Sequence, residues 1–212
     1  MIMVDVNDPG YGSIVRVSMQ SDNFYYNFGL SILIKELNRV IRKSAVFVLS
    51  DDTVDDDGSL KNIIFRDSMV TINLQRKNKR WKNDPDSECR AIIHIPFVCR
   101  QSKLSDVMVK MEKVLLIASM DYSSFLTPDN YRMMGLKKFK QLSLTECKIL
   151  LLIGKGYNVG YISRILNRSE KTISNHCRNS IRKLGMLNRV DFYKYACFIA
   201  HCGNKERNTL CL

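Results

Sequence analysis

The sequence predicts an α/β domain followed by an all-α domain, and two observations support this division. Strand-like and helix-like segments alternate in the first part of the chain, whereas every apolar pattern beyond Leu142 has helical spacing. Charge divides the chain at nearly the same place, because residues 1–136 hold 18 Lys and Arg against 17 Asp and Glu, whereas residues 137–212 hold 15 against 4. Nearly all of the net charge of +12 therefore lies in the last third, as is typical of a nucleic-acid-binding module beside a neutral domain.

The first segments have the patterns of a strand, a helix and a second strand. Residues 13–19 alternate between apolar and polar and predict a strand. Residues 23–43 predict a helix with Asn23 as a candidate N-cap, and its apolar positions are Phe24, Phe28, Leu30, Ile34, Leu37 and Ile41. Residues 45–50 form a short apolar run that is typical of a strand buried on both faces.

The next segments complete a predicted sheet. An acidic loop at 51–58 precedes a predicted short helix at 59–65, and a polar loop at 75–88 separates predicted strands at 69–74 and 91–98. Residues 104–118 predict a helix. This alternation favours a parallel sheet covered by helices, because parallel strands need crossover connections. We therefore predict an amino-terminal domain over 1–118, a linker over 119–141 and a second domain over 142–212.

Four helices account for the second domain. The patterns predict helices at 142–154, 159–166, 170–184 and 190–201, and the breaks between them fall at Gly156, at 167–169 and at Gly185. The second and third helices are separated by the turn Asn-Arg-Ser, and Ser169 can cap the third helix through its hydroxyl group. This spacing predicts a helix-turn-helix.

The third of these helices separates its side chains into two faces at about 100° per residue. An apolar stripe consists of Ile173, Cys177, Ser180 and Leu184. The opposite face, here called the recognition face, consists of Lys171, Ser174, Asn175, Arg178 and Arg182. It carries guanidinium, ammonium, amide and hydroxyl groups and no carboxylate, a set suited to base edges and phosphates.

Residues 142–196 resemble the DNA-binding domain of LuxR/FixJ-type bacterial transcription regulators. The positions that carry the resemblance are Leu142, Ser143, Glu146, Gly156, Ile162, Ser163, Ser169, Thr172, Ile173, His176, Arg182, Lys183, Leu184, Gly185, Asn188 and Arg189. The sequence departs from the family at Gly160 and Ser180, where the family prefers a charged and an aliphatic residue.

The resemblance implies a sequence-specific transcription regulator that binds double-stranded promoter DNA. It places Ser174, Asn175 and Arg178 in the major groove and His176, Asn179 and Lys183 near the backbone. The last helix commonly carries a dimer contact, so we expect a homodimer or a heterodimer with a related regulator. The full predicted contact set is Lys171, Thr172, Ser174, Asn175, His176, Arg178, Asn179, Arg182 and Lys183.

The first domain resembles a receiver domain that has lost its phosphorylation residues. A working receiver has two acidic residues after its first strand, an aspartate ending the third and a lysine after the fifth. Here only Asp22 follows the first strand, Ser50 ends the run at 45–50, and Arg100 stands near the expected lysine. This arrangement is similar to that of enterobacterial fimbrial and capsule gene regulators, so surface-structure genes are the expected targets.

Two other hypotheses remain open. The first domain can be a receiver that is phosphorylated at Asp51 or Asp52, or the chain can be a co-regulator that binds DNA only with a protein partner. A zinc site built from Cys197, His201, Cys202 and Cys211 matches no usual ligand spacing.

Several other classes of protein are disfavoured by the sequence. No nucleophile–base pair or phosphate-binding loop is apparent, so we expect neither an enzyme nor a cofactor or metal. No apolar run reaches about 18 residues, which argues against a membrane protein. Seven irregularly spaced cysteines and the lack of an export signal indicate reduced thiols and a cytoplasmic location.

Overall fold

A computed structural model describes residues 13–41, 45–49, 62–74, 91–99, 101–120, 129, 132, 134–202 and 209–212. The first part contains strands β1 (Ser13–Met19), β2 (Ala45–Leu49), β3 (Ile63–Arg66), β4 (Met69–Leu74) and β5 (Ala91–Pro96), with helices α1 (Phe24–Ile41) and α2 (Leu104–Ser119). A 3₁₀ turn at Lys138–Lys140 precedes α3 (Leu144–Gly154), α4 (Val159–Leu166), α5 (Glu170–Lys183) and α6 (Arg189–His201). The predicted fold class, an α/β domain followed by a helical domain, is confirmed.

The five strands form one sheet of mixed direction in the order β2-β1-β3-β4-β5. Strand β1 pairs in parallel with β2, as predicted, and also with β3, whereas β4 pairs antiparallel with both β3 and β5. The prediction of a parallel sheet is therefore wrong at β4. Only Asp67 and Ser68 connect β3 to β4, and a parallel pair needs a crossover of a dozen or more residues.

One face of the sheet packs against both α1 and α2. Its buried side chains come from alternate positions of every strand and include Val17, Phe47, Phe65, Ile72 and Ile95. Helix α1 contributes Leu30, Ile34 and Leu37, and α2 contributes Met111, Val114 and Leu115. In β1 and β4 apolar residues alternate with polar ones, which is the sequence pattern of a strand, although all six residues of β4 are buried.

Two further sequence predictions about the first domain were wrong. Residues 63–65 were expected in a short helix but belong to β3, where Ile63 and Phe65 are fully buried between β1 and β4. Strand β2 was expected to be buried on both faces, yet it is an edge strand with Val48 44% exposed.

The helix predicted at 23–43 is α1, but the apolar residues at its amino-terminal end are not part of the core. Phe24 and Phe28, which belong to the helical pattern, are 71% and 56% exposed. Their direction around the helix differs from that of Leu30 and Ile34, which point at the sheet, because successive residues turn by about 100°. Asn23 does act as expected, since its Oδ1 accepts a hydrogen bond from the Tyr26 N–H at 3.0 Å.

The phosphorylation hypothesis placed its acceptor after the strand at 45–50, which it treated as the third. That segment is β2, and Ser50, Asp51, Asp52 and Arg100 lie outside the described residues, as do the loops at 51–58 and 75–88. In the described residues, the strand that pairs with β1 on the other side, β3, is followed by Asp67, whose carboxylate accepts a hydrogen bond from the Ser21 hydroxyl.

The helical domain has two small cores. One surrounds Ile149, Ile162, Ile173 and Cys177, and the other includes Leu150, Leu184, Phe192, Tyr195 and Ile199. Helices α3 and α6 approach so closely that a Cβ atom on Gly154 would lie 2.0 Å from the backbone oxygen of Ala196. None of the helices in the described ranges is both long and apolar enough to cross a membrane.

The segment between the two predicted domains is partly bound to the first. Met134 and Leu136, which fall within the predicted linker at 119–141, are buried in the core of the first domain. The domain boundaries themselves remain a prediction.

Candidate nucleic-acid interface

Helices α4 and α5 form the predicted helix-turn-helix, and local hydrogen bonds define both sides of its turn. Asn158 caps α4 by accepting from the Tyr161 N–H at 2.8 Å. Helix α4 ends at Leu166, and the φ of 50° at its C-cap, Asn167, lies in the left-handed region that asparagine tolerates. Ser169 then caps α5, because its hydroxyl oxygen accepts from the Thr172 N–H at 3.1 Å. The turn predicted from the Asn-Arg-Ser sequence is confirmed.

The stripe that anchors α5 is buried as predicted. Ile173, Cys177, Ser180 and Leu184 are all at most 4% exposed. Ser180, where the LuxR family prefers an aliphatic residue, donates its hydroxyl proton to the backbone oxygen of His176 at 2.9 Å. This bond within the helix satisfies the buried hydroxyl, so a serine is tolerated in the core position.

The end of α5 also follows the sequence prediction. Gly185 has a φ of 65°, and the Met186 N–H donates to the Ile181 oxygen at 3.0 Å. This is the hydrogen bond of a Schellman cap, which requires the left-handed conformation that glycine adopts at little cost. The helix therefore stops where the recognition face ends.

The recognition face lies opposite the buried stripe and is open to solvent. Lys171, Asn175, Arg178 and Arg182 are exposed, and Ser174 is half-buried. Arg182 donates to the Asn179 side-chain oxygen at 3.3 Å, which joins the face to its exposed flank. Four exposed side chains in three turns of helix present amide and guanidinium groups outward, a suitable arrangement for the edges of bases.

Of the other predicted contact residues, Thr172 and His176 are half-buried and Asn179 is exposed. The Thr172 hydroxyl lies 2.9 Å from the Ser169 hydroxyl at the start of α5. Five of the nine predicted residues are thus exposed on α5 and three are half-buried, and the ninth, Lys183, is held in an ion pair.

Lys183 is engaged in an ion pair that sequence reasoning missed. Its Nζ atom lies 2.7 Å from Oε2 of the buried Glu146 and donates to the backbone oxygen of Gln141 at 3.0 Å. Burial raises the pKa of Glu146, but hydrogen bonds from Lys183 and Ser143 outweigh it, so the pKa lies below its ordinary value. Glu146 also completes a capping box with Ser143. These contacts make Lys183 a residue that positions α5.

Gly160, the second departure from the family pattern, lies close to the start of α5. A Cβ atom there would be 3.0 Å from the carboxylate oxygen Oε1 of Glu170. The absence of a side chain at position 160 therefore leaves room for the Glu170 side chain. This proximity between α4 and α5 is not evident from the spacing of residues in the sequence.

The surface of α6 supplies a candidate contact between two copies. Val190 and Tyr193 are 61% and 50% exposed, and Leu187, just before the helix, is 44% exposed. Cys197 lies on the same side of the helix and is half-buried. Phe192, Tyr195, Ala196 and Ile199 point the other way into the core.

Residues 140–196 match the family model described as "Bacterial regulatory proteins, luxR family". The helical domain is therefore a LuxR-type domain. Over 54 residues the chain is 35% identical to "Uncharacterized protein YjjQ" of Escherichia coli O157:H7, an alignment that covers 26% of this chain and 22% of that protein. The aligned part thus spans about a fifth of this relative.

Two solved structures to which the chain is similar are of RcsB. The RcsB response regulator of Salmonella typhimurium is 20% identical, with 88% of this chain and 99% of that chain covered and a TM-score of 0.31. A second, described as a two-component response regulator RcsB–DNA complex, is 16% identical, with 87% and 98% covered and the same TM-score.

Proposed function

We propose that this protein is a sequence-specific DNA-binding transcription regulator that inserts α5 into the major groove. The observation that carries the proposal is the recognition face, which is exposed, free of carboxylates and presented by a capped helix-turn-helix of LuxR type. Residues 137–212 contain 15 basic and 4 acidic residues, and this excess of positive charge attracts the segment to DNA phosphates.

The contact residues have three roles in this proposal. Ser174, Asn175 and Arg178 contact base edges, because they occupy the centre of the recognition face. Thr172, His176 and Asn179 lie toward the sugar–phosphate backbone of the DNA. Lys171 and Arg182 do the same from the two ends of α5. Lys183 has a supporting role, since its ammonium group is held by Glu146 and Gln141.

The chain acts as a dimer in this proposal, through the exposed side of α6. Val190, Tyr193 and Leu187 offer apolar surface on a helix that commonly forms such contacts in the resembling family. Two-fold pairing would place the two recognition helices about one helical turn of DNA apart, so the operator is expected to contain two half-sites. The same surface would serve a heterodimer with a related regulator.

We further propose that the protein acts in a bacterial cytoplasm and controls fimbrial or capsule genes, because its first domain resembles the regulators of such genes. It assigns no catalytic activity. Control by phosphorylation at Asp51 or Asp52 is the competing proposal, and incubation with acetyl phosphate and Mg²⁺ followed by intact mass measurement distinguishes them. An added phosphoryl group would favour the competing proposal.

The direct test is selection of bound fragments from random double-stranded DNA with the purified full chain. Enrichment of one motif, arranged as two half-sites, supports both specific binding and a dimer. A single enriched half-site would retain DNA binding but contradict the dimer. Absence of any enriched sequence, in a protein shown to be folded, would contradict the proposed function, and recovery of enrichment on adding a protein partner would favour the co-regulator.

A further inference from the structure

The second face of the sheet, opposite α1 and α2, meets the helical domain. The register places Arg66 opposite Met69 and Thr71 opposite His94, so these four side chains share this face. Met69 is buried in the core of the helical domain together with Leu184 and Phe192. Through Met69, this face of the sheet therefore contributes to the core of the helical domain.

Helix α6 contacts this face through aromatic rings. The Phe198 ring meets the His94 ring edge to face, with 5.3 Å between centroids and 87° between planes. The Arg66 guanidinium lies over the same Phe198 ring, 5.0 Å from its centroid. The buried Tyr195 hydroxyl donates toward the His94 backbone oxygen at 3.4 Å. These contacts fix the rotation of α6 relative to β5.

Residues 209–212 lie between the two domains and are bound to both. Thr209 forms a parallel bridge with His94, and the Leu210 N–H donates to the His94 oxygen at 2.9 Å. The Tyr195 hydroxyl also lies 3.2 Å from Thr209 Oγ1. Leu210 is buried in the core of the first domain, whereas Cys211 is buried in that of the second. Leu210 and Cys211 are adjacent in sequence, yet each packs into the core of a different domain.

The same segment connects to the recognition helix through Gln141. The Gln141 side chain makes two hydrogen bonds with the backbone of Cys211, donating to its oxygen and accepting from its N–H, both at 2.8 Å. The backbone oxygen of Gln141 accepts from Lys183 at the end of α5. The contacts thus run without a break from β5 to the last turn of α5.

We propose that residues 209–212 are an interdomain clasp, which holds the sheet and the helix-turn-helix as one rigid unit with the recognition face outward. The clasp engages α6 and β5 on the side away from the exposed residues of α5, so it orients the DNA-binding surface and leaves it accessible. This inference concerns the two domains alone and stands independently of the proposed function.

The test is rotational tumbling of the full chain, measured by ¹⁵N relaxation at a concentration where it is monomeric. Amides of β4 and β5 are compared with amides of α5. The intact chain is expected to give one shared correlation time, and a variant lacking residues 209–212 is expected to give two. Separate times in the intact chain, or one shared time in a folded deletion variant, would overturn the proposal.

Deletion also removes Leu210 from a core, so a second variant keeps that residue. The full-length double variant Gln141→Ala with Tyr195→Phe removes the side-chain hydrogen bonds of the clasp and retains both buried anchors. If the deletion variant unfolds in either domain, the double variant decides the outcome: two correlation times support the clasp and one contradicts it. Tyr25→Phe is the control, because it removes the hydroxyl group of an 84% exposed tyrosine on α1 that takes no part in the clasp.

DNA binding separates the clasp from an inhibitory contact. Because the recognition face is already exposed, the double variant is expected to bind a single half-site with the affinity of the intact chain. A tenfold or greater gain in affinity would show that the clasp blocks the surface, contrary to the proposal. Failure of the intact chain to bind DNA would contradict the proposed function and leave the tumbling result unaffected.

Discussion

The Nζ atom of Lys183 lies 2.7 Å from Oε2 of Glu146 and joins the last turn of α5 to the first turn of α3. The Glu146 side chain is only 4% exposed and that of Lys183 is 22% exposed. Coulomb attraction at such a site is weakly screened, and loss of one partner leaves the other charge without compensation. The pair therefore stabilises the position from which α5 presents its recognition face.

Replacement of Lys183 by methionine tests this relationship. Met keeps most of the side-chain volume but leaves the Glu146 carboxylate buried without its ammonium partner, so we expect a loss of about 3 kcal/mol in the free energy of unfolding. Urea denaturation at pH 7 measures it. Arg39→Met is the control, because its partner Glu36 is 57% exposed, and about 0.5 kcal/mol or less is expected there. Equal losses in both variants would contradict the account.

The pKa of Glu146 gives this effect a pH dependence. Because its pKa in the folded chain lies below the unfolded value, the pair contributes stability above about pH 4.3 that is lost as the pH falls through the folded pKa. The difference between Lys183→Met and the wild-type chain should therefore shrink in acid. A difference that grows as the pH falls would argue against a charge-based cause.

Gly154 permits the close approach of α3 and α6. A Cβ atom at this position would lie 2.0 Å from the Ala196 oxygen and 2.8 Å from the Ala200 Cβ atom, and backbone must move to relieve such contacts. We expect Gly154→Ala to cost about 3 kcal/mol in the free energy of unfolding. Gly29→Ala in α1 is the matched control, because no atom lies within 4 Å, and it should stabilise by roughly 0.5–1 kcal/mol. Loss of the same size in both variants would contradict the packing described.

His94 makes the stability of the domain contact depend on pH. Burial, with a smaller contribution from the nearby Arg66, lowers the pKa of His94 to about 4. The His94 imidazole binds a proton near pH 6.5 in the unfolded chain but only near pH 4 in the folded chain. The free energy of unfolding is therefore highest above pH 6.5 and decreases as the pH falls from 6.5 to 4. We expect a contribution of about 2 kcal/mol to the loss between pH 7 and pH 5.

The measurement is urea unfolding of the wild-type chain and of His94→Gln across this range. Gln keeps a polar side chain next to the Thr71 hydroxyl, which lies 3.2 Å from His94 Nδ1, but it does not titrate. The variant should therefore lose less stability than the wild-type chain between pH 7 and pH 5. Parallel pH profiles for the two proteins would exclude His94 as the cause.

The helical domain was predictable because its signals are local. The Ser169 cap, the left-handed glycine at Gly185 and the 3.6-residue spacing of Ile173 and Cys177 each depend on a few neighbouring residues. The recognition face follows from the same spacing, since the side opposite a buried stripe faces solvent. The exposure of the predicted side chains required no knowledge of the first domain.

The first domain was less predictable because its strands pair over long distances. Residues 63–65 form too short an apolar run to distinguish helix from strand, and only the neighbouring strands β1 and β4 determine the choice. The direction of β4 depends on the two-residue turn at Asp67 and Ser68, which carries no glycine. Val48 is exposed because β2 lies at the edge of the sheet, and the position of β2 depends on how the strands are ordered.

The clasp and the Lys183 ion pair had no signal in the sequence pattern. Gln141 and Cys211 are 70 residues apart, and Lys183 and Glu146 are 37 apart. Helical spacing placed Lys183 beside Asn179 and therefore near DNA, but it does not reveal a carboxylate from another helix. Contacts of this kind become visible only when the tertiary structure brings the partners together.

Lys171 tests the electrostatic part of the proposed function. It is exposed at the start of α5, where the helix dipole and the free N–H groups also favour a phosphate. If Lys171 neutralises one phosphate, Lys171→Ala should weaken binding to all sequences and reduce the slope of log affinity against log salt by about 1. Fluorescence anisotropy titrations at several salt concentrations measure the slope.

Lys35→Ala, an exposed change on α1, is the control for this titration and should leave the slope unaltered. A slope that is unchanged in Lys171→Ala, or equally reduced in both variants, would remove Lys171 from the proposed phosphate contacts.

The most direct measurement of the central claim is the affinity of Arg178→Ala for the DNA motif selected by the wild-type chain, compared with its affinity for a scrambled duplex. Arg178 is exposed at the centre of the recognition face, and loss of a base contact is expected to cost about 1–3 kcal/mol on the selected motif while binding to the scrambled duplex changes little. Arg39→Ala on α1 is the control and should bind both duplexes as the wild-type chain does. A specificity ratio for Arg178→Ala equal to that of the wild-type chain would contradict the assignment of this face to base recognition.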